Sequence, residues 1–177
     1  MVGQDARKNR HTVLRGAGRK QTPGTPRMWV DRHRRPPYEE LNHPADLLLE
    51  IRGEDLEQLL DNALYALYAN VVDLQGLRGE RWVTIQATGE DAARLLGRLL
   101  NEALFLLDTE GFLGTAAKLQ VHEDEEAGIS AQAQIWGLTL DQTRHDLLSE
   151  IKAATQHSLE IRREEDGSLV GTVLLDT

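Results

Sequence analysis

Two aspartates at the predicted ends of strands are the residues best placed for chemistry. Asp46 closes the run His43-Pro44-Ala45-Asp46, where a loop enters a predicted strand, and Asp176 follows the apolar run 173–175 of the last one. A side chain at a strand end is partly exposed and is positioned by a rigid scaffold, as binding and catalytic groups are. The alternatives are that Asp46 caps a turn through backbone N–H groups and that Asp176 belongs to a frayed terminus.

A second set of polar residues surrounds a segment whose structure is ambiguous. It comprises Trp136-Gly137, His145, Lys152, Thr155 and His157. Each of these residues, taken alone, is better explained as structural than as catalytic. The acidic run 123–126 could attract a cation, but a solvated turn is the preferred interpretation.

Several classes of chemistry are excluded by what the sequence lacks. It contains no Cys, which excludes disulfides, Cys-ligated zinc, iron–sulfur clusters and thiol nucleophiles. It also lacks the phosphate-loop fingerprint and the common zinc-protease, serine-hydrolase and calcium-loop motifs. Any chemistry must therefore come from carboxylates, His, Lys and hydroxyl groups.

The length and composition predict one globular domain. The chain has 177 residues, of which 40% are hydrophobic and 28% charged, enough to close one core. No apolar run approaches the roughly 18 residues of a membrane span, and no hydrophobic signal region follows the basic N-terminus. We therefore expect a cytoplasmic protein without membrane contact.

Charge divides the chain at about residue 37. Residues 1–37 contain ten Lys and Arg and two Asp, whereas residues 38–177 contain ten basic and 27 acidic residues. We interpret residues 1–37 as a basic, disordered extension in which only residues 28–33, around Trp29, could dock locally. Such an extension could bind RNA phosphates. The alternatives are an extension without a function and a misassigned start site.

Hydrophobic spacing predicts the elements that position the candidate residues. Strands are predicted at 46–51, 82–88, 117–121 and 129–135, and helices at 54–72 and about 92–110. Thr88, with Asp91 three residues later, resembles a capping box at the start of the second helix, and Asp166-Gly167 predicts a final hairpin. Residues 143–148 are assigned a short helical turn followed by a strand. Two amphipathic helices need an apolar sheet face, so the fold class is α+β: a two-layer sandwich with a mixed, largely antiparallel sheet.

Six sequence features, taken in order, resemble the archease family. They are Tyr38 with His43-Pro44-Ala45-Asp46, the segment 101–112, Trp136-Gly137, Asp141 with His145, the segment 150–161 and the final run 173–176. The resemblance covers residues 38–177 and implies a small α+β protein that assists an RtcB-type RNA ligase. On that basis it would promote the ligase's guanylylation and multiple turnover in tRNA splicing and RNA repair, contacting tRNA only through the ligase, and would not itself be an enzyme.

The resemblance also implies a divalent cation, most commonly Ca²⁺, with Mg²⁺ or Mn²⁺ as alternatives. Its implied ligands are Asp46, Asp176 and main-chain or terminal oxygens of Thr177, which suit a hard cation. Pro44 and Thr177 stand where the family more often has Thr and Ile. Lys152 could meet a phosphate near such a site, and His43 and His145 are further candidates for phosphate or partner contact.

Two other functions stay open on the sequence alone. The first is a metal-dependent hydrolase or phosphotransfer enzyme that uses the two aspartates, with His43, His145 or His157 as general base. The second is a chaperone-like binding module without a metal role. The oligomeric state is not predicted.

Overall fold

The structure, a computed structural model, describes residues 24–177. It contains two long helices, one short helix and eight strands. In chain order they are α1 (Trp29–Arg32), β1 (Tyr38–Leu41), β2 (Leu47–Gly53), α2 (Leu56–Val71), β3 (Arg81–Gly89), α3 (Ala92–Glu110), β4 (Phe112–Asp124), β5 (Gly128–Thr139), β6 (Ala153–Ala154), β7 (Glu160–Arg163) and β8 (Leu169–Asp176). The predicted α+β class is confirmed.

The strands form two sheets in which all named pairs are antiparallel. One sheet has the order β1-β2-β8-β6, with β7 also paired to β8, and the other has the order β3-β5-β4. Burial alternates along much of the second sheet: Ile85 and Ala87 of β3 are buried while Gln86 and Thr88 are exposed. This period of two places one apolar face of the sheet towards the helices. The first six residues of β4, by contrast, are all buried.

Each long helix begins at an aspartate that caps it. The Asp55 carboxylate accepts the Gln58 N–H at 2.8 Å, and the Asp91 carboxylate accepts the Arg94 N–H at 2.7 Å. Asp91 is thus the N-cap itself, and the predicted box with Thr88 as its cap is wrong. Gly111 ends α3 as predicted, with φ of +64°, a conformation that glycine adopts without strain.

The core lies between the helices and both sheets. Helix α2 contacts β4 of one sheet and β2 of the other, while α3 packs mainly on β3. Fully buried leucines supply most of this contact: Leu59, Leu60, Leu64, Leu67, Leu95, Leu96 and Leu99. None of the helices within residues 24–177 is long and apolar enough to cross a membrane.

The segment between β5 and β8 differs from the prediction. The predicted short helical turn lies at 141–145 and does not continue to residue 148. The chain turns where Arg144 N–H and His145 N–H both donate to the Asp141 carbonyl, at 2.9 Å each. The strand that follows, β6, has only two residues, Ala153 and Ala154, which pair with Asp176 and Leu175 of β8.

Residues 28–33 pack against the domain formed by the later residues. Met28 is 3% exposed and Trp29 is fully buried, so the expected docking of residues 28–33 occurs, with Met28 and Trp29 in the core and Asp31 and Arg32 exposed. We call residues 28–33 the N-terminal clasp. The predicted disorder of residues 1–23 lies outside the described residues.

The clasp is held on α2 through a buried carboxylate. Trp29 Nε1 donates to Asp61 Oδ1 at 2.8 Å, and Arg32 pairs with Asp61 Oδ2 at 2.9 Å. The Trp29 ring stacks on Tyr65 and Tyr68 at centroid distances of 5.7 and 6.1 Å. Burial is the main effect on Asp61 and raises the pKa of its carboxyl above the usual value.

Candidate metal site and adjacent groove

Strand pairing brings the two predicted aspartates together. In the antiparallel pair of β2 and β8, Leu47 lies opposite Leu175. Asp46 immediately precedes Leu47 and Asp176 immediately follows Leu175, so extending this antiparallel register by one position sets the two aspartates opposite each other. We call Asp46 and Asp176 the acidic pair. Both residues are partly exposed, as expected at the end of a sheet.

Lys152 and Thr177 lie at the same sheet end. Lys152 N–H donates to the Asp176 carbonyl at 2.8 Å, and Lys152 Nζ lies 3.4 Å from the Thr177 main-chain oxygen. The residue after Lys152, Ala153 of β6, pairs with Asp176 of β8. One sheet end therefore holds four of the six predicted site residues: Asp46, Asp176, Thr177 and Lys152.

The donor atoms of this sheet end are suited to a hard cation but are few. Two carboxylates and one main-chain oxygen are all oxygen ligands, which Ca²⁺ and Mg²⁺ prefer. A Ca²⁺ ion takes about six to eight oxygens, so water or a partner must complete its shell. Across residues 24–177, three or more His, Asp or Glu side chains nowhere gather as a metal-binding group.

The two predicted histidines are not part of this cluster of contacts. His145 Nδ1 accepts the Asp141 N–H at 3.1 Å, so the imidazole is used within its own turn. The Asp141 carboxylate accepts from Thr143, which lowers the pKa of its carboxyl. His43 is exposed in the loop before Asp46. Neither histidine is placed as a general base on the acidic pair by a hydrogen bond.

The acidic run 123–126 lies at a solvated turn, as the sequence predicted. Asp124 accepts the N–H groups of Glu126 and Ala127 at 2.9 and 2.8 Å. These hydrogen bonds lower the pKa of the Asp124 carboxyl. Asp124 Oδ1 is thus used by the turn itself.

A groove of about 820 Å³ runs from Lys152 to the C-terminal half of α3. Apolar side chains of Leu104, Phe105 and Leu147 line it, with Asp108 and Glu150 as acidic members. Phe105 is 44% and Leu147 45% exposed, and neighbouring Leu148 is 60% exposed. Large exposed apolar side chains in one patch are typical of a surface that meets another molecule.

The sequence model of the Archease protein family matches residues 38–177. This chain belongs to the archease family. It is 32% identical over 137 residues to protein archease of Archaeoglobus fulgidus, with 77% of this chain and 97% of that protein covered. It is also 32% identical over 140 residues to protein archease of Methanopyrus kandleri, with 79% and 99% covered.

Two solved structures share the archease fold. The solution structure of protein 1598 from Methanobacterium thermoautotrophicum matches with a TM-score of 0.69 at 29% identity, covering 81% of this chain and 100% of that one. A crystal structure of an archease from Thermotoga maritima, called a possible chaperone, matches with a TM-score of 0.51 at 21% identity. It covers 78% of this chain and 96% of that one.

One positioning residue of this archease was missed by sequence reasoning. Asn101 of α3 donates to the Ala154 carbonyl at 3.0 Å and accepts the Ala154 N–H at 2.9 Å. This double hydrogen bond fixes β6 on the helix, and with it the neighbouring Lys152. The available signal was an asparagine at a half-buried position in a leucine-rich helix, since a buried amide needs partners.

Proposed function

We propose that this archease is a metal-binding accessory protein that activates an RtcB-type RNA ligase. It would promote guanylylation and multiple turnover of the ligase in tRNA splicing and RNA repair, in the cytoplasm, without being an enzyme itself. Family membership supports this proposal. The observation that supports it is the register of β2 and β8, in which Leu47, the residue after Asp46, lies opposite Leu175, the residue before Asp176.

In this proposal the acidic pair and the Thr177 main-chain oxygen hold a divalent cation, most readily Ca²⁺. Two adjacent carboxylates repel each other, and a cation between them removes that repulsion. The set of protein oxygens is incomplete, which suits a site that takes further ligands from water or from the ligase. When bound, the cation would supply positive charge for nearby phosphate oxygens.

Lys152 adds a second positive group to the same sheet end. Its main-chain N–H is fixed by Asp176 and its ammonium group lies near Thr177. An ammonium on a flexible stem binds phosphate as a point charge. We assign Lys152 a contact with a nucleotide phosphate or with the ligase surface.

The groove beside Lys152 supports protein contact as the mode of action. Its exposed apolar residues, Phe105 and Leu147, suit a protein surface. Residues 38–177 carry 27 acidic and ten basic residues, and such a charge repels RNA phosphates. The tRNA is therefore reached through the ligase.

The test is covalent guanylylation of the cognate ligase with GTP and metal, with and without this protein. We expect the wild type to stimulate guanylylation and Asp46→Ala and Asp176→Ala to remove the stimulation. Glu165→Ala is the matched control, because Glu165 is an exposed carboxylate of the turn between β7 and β8. It should stimulate like the wild type.

Three results would overturn parts of this proposal. Absence of stimulation by the wild type would leave family and fold but remove the activator role. Unchanged stimulation by both aspartate variants would indicate a chaperone-like module without a metal role. Hydrolysis of a phosphate ester by the isolated protein, abolished by Asp46→Ala, would indicate the metal-dependent enzyme.

A further inference from the structure

The large exposed apolar side chains of the described residues are concentrated at the groove beside Lys152. Across residues 24–177, three such side chains are exposed: Phe105, Leu147 and Leu148. Phe105 and Leu147 line the groove of about 820 Å³, and Leu148 follows Leu147 in the chain. An apolar patch of this kind on an otherwise charged surface is typical of a contact with another molecule.

The main chain on one side of the groove is fixed to the domain. Leu147 forms a β-bridge with Val72, and the Leu148 N–H donates to the Val71 carbonyl at 2.8 Å. The other side is the C-terminal half of α3. The backbone is therefore held in place while the leucine side chains stay exposed, and a surface formed before binding loses little conformational entropy when a partner docks.

The charges along the groove favour a cationic partner. Asp108 and Glu150 line the groove and are exposed. Within the described part of the chain, neither carboxylate has a hydrogen bond or an ion pair. Lys152 supplies the positive charge at one end, where its ammonium lies 3.4 Å from the Thr177 main-chain oxygen. Two carboxylates along the groove are thus left for a basic group of another molecule.

The end of α3 adds to the negative potential of the groove. The helix ends at Glu110, and Gly111, its C-cap, lines the groove. The last carbonyl groups of a helix carry a partial negative charge, which a basic residue in the last turn can balance. The last turn of α3 contains no basic residue, so a cation from a partner would interact favourably there.

We propose that this groove binds a short segment of the ligase that presents apolar side chains together with Arg or Lys. The inference rests on the proposed function, which supplies the ligase as the partner. The apolar side chains of the segment pack on Phe105 and Leu147, and its basic groups pair with Asp108 and Glu150. Arg suits this position best, because a guanidinium group binds a carboxylate through two parallel hydrogen bonds.

The position of the groove separates docking from activation. Lys152 lines the groove, and its N–H donates to the Asp176 carbonyl of the sheet end. A ligase segment in the groove is therefore held next to the acidic pair. In this arrangement the groove supplies affinity for the ligase, and the acidic pair supplies the cation site.

The test is the dissociation constant of the complex between the full-length protein and the cognate ligase, measured by isothermal titration calorimetry with metal but without GTP. Phe105→Ser with Leu147→Ser removes the apolar contact and should weaken binding by about tenfold or more. Asp108→Lys with Glu150→Lys reverses the charge of the groove. It should weaken binding by a similar factor and make the complex less sensitive to added KCl.

The matched control is Glu125→Lys with Glu165→Lys. It makes the same change in net charge at two exposed carboxylates, in the turns that follow β4 and β7, and neither residue lines the groove. Its dissociation constant should equal that of the wild type. Circular dichroism of each variant shows that it is folded.

Four results would overturn the proposal. They are no complex with the wild type, an unchanged dissociation constant in either groove variant, an equal loss in the control, and a wild-type dimer that Phe105→Ser with Leu147→Ser converts to a monomer. The last result, measured by light scattering without ligase, would identify a second copy of this chain as the occupant.

Failure of the groove and failure of the proposed function give different results. Asp46→Ala and Asp176→Ala should bind the ligase like the wild type but not stimulate its guanylylation. Normal binding and stimulation by the groove variants would remove the groove proposal alone. Groove-dependent binding without any stimulation by the wild type would remove the activator role alone.

Discussion

Carboxylates occur in two contrasting settings within residues 24–177: beneath the clasp and at one end of a sheet. Asp61, under the clasp, is 9% exposed and its oxygens accept from Trp29 and pair with Arg32. Asp46 and Asp176 are partly exposed at a sheet end that also holds Lys152, whose ammonium lies 3.4 Å from the Thr177 main-chain oxygen. The first carboxylate is satisfied by the protein, and the other two have oxygens left for a ligand.

The difference separates a structural role from a binding role. A buried carboxylate with its own partners holds two elements together, and losing a partner costs stability. Adjacent exposed carboxylates contribute little to stability and instead create a site for a cation. Variants in the two regions should therefore affect different measurements.

The largest expected effect is on stability, from the clasp. Trp29→Ala removes a fully buried ring and the hydrogen bond to Asp61, and should lower the free energy of unfolding by about 3–5 kcal/mol. Trp29→Phe keeps most of the ring contact and should cost less, about 1–2 kcal/mol. Chemical denaturation followed by circular dichroism measures both.

Equal stability of Trp29→Ala and the wild type would show that the clasp is not part of the cooperative core. The comparison of the two regions would then fail at its first step.

The next effect concerns the acidic pair and a cation. Asp46→Asn with Asp176→Asn removes two like charges, so without metal the free energy of unfolding should stay within about 0.5 kcal/mol of the wild type. Added CaCl₂ should raise the melting temperature of the wild type but not of the variant, since a ligand stabilises only the state that binds it. EDTA should reverse the rise.

A calcium-induced rise of equal size in the variant would place the cation elsewhere. A strong destabilisation of the variant without metal would give the acidic pair a structural role like that of Asp61.

The smallest effect is a pH dependence of the clasp. Burial first and Arg32 second lower the pKa of His33 below its usual value, while Asp61 opposes them. Its Nε2 is buried without a hydrogen-bond partner. The folded state thus favours neutral imidazole, and stability should fall as pH decreases through 6.5, where His in the unfolded chain gains its proton.

Comparison of His33→Asn with the wild type isolates this effect from other groups of the clasp. The burial-raised pKa of Asp61 acts in the opposite direction, because protonation of Asp61 is favoured in the folded state as pH decreases. The wild type should lose more of its free energy of unfolding than His33→Asn between pH 7.5 and 5.5. Equal losses in both proteins would show that His33 does not contribute.

The sequence predicted those parts of the structure that depend on local patterns. The spacing of leucines gave both long helices, and Gly111 marked the end of α3. The alternation of apolar and polar residues predicted the two strands that the structure pairs as β4 and β5. The order of six features pointed to the family, which the family match confirms.

Errors occurred where distant contacts decide the local conformation. Residues 143–148 carry a helical pattern, but the helical turn at 141–145 does not continue, and Leu148 N–H donates instead to the Val71 carbonyl at 2.8 Å. The double hydrogen bond of Asn101 with Ala154 joins residues 53 positions apart. Local propensity contains no information on such partners.

The sequence by itself determined the class of the fold, the two helices, the family and the identity of the candidate aspartates, because these follow from spacing and residue type. Only the tertiary structure decided that Asp46 lies opposite Asp176 and that Trp29 enters the core. Both facts depend on which distant segments pair, the strands β2 and β8 in one case and the clasp with α2 in the other. Pairing is chosen by the burial of the whole core and not by the residues next to the site.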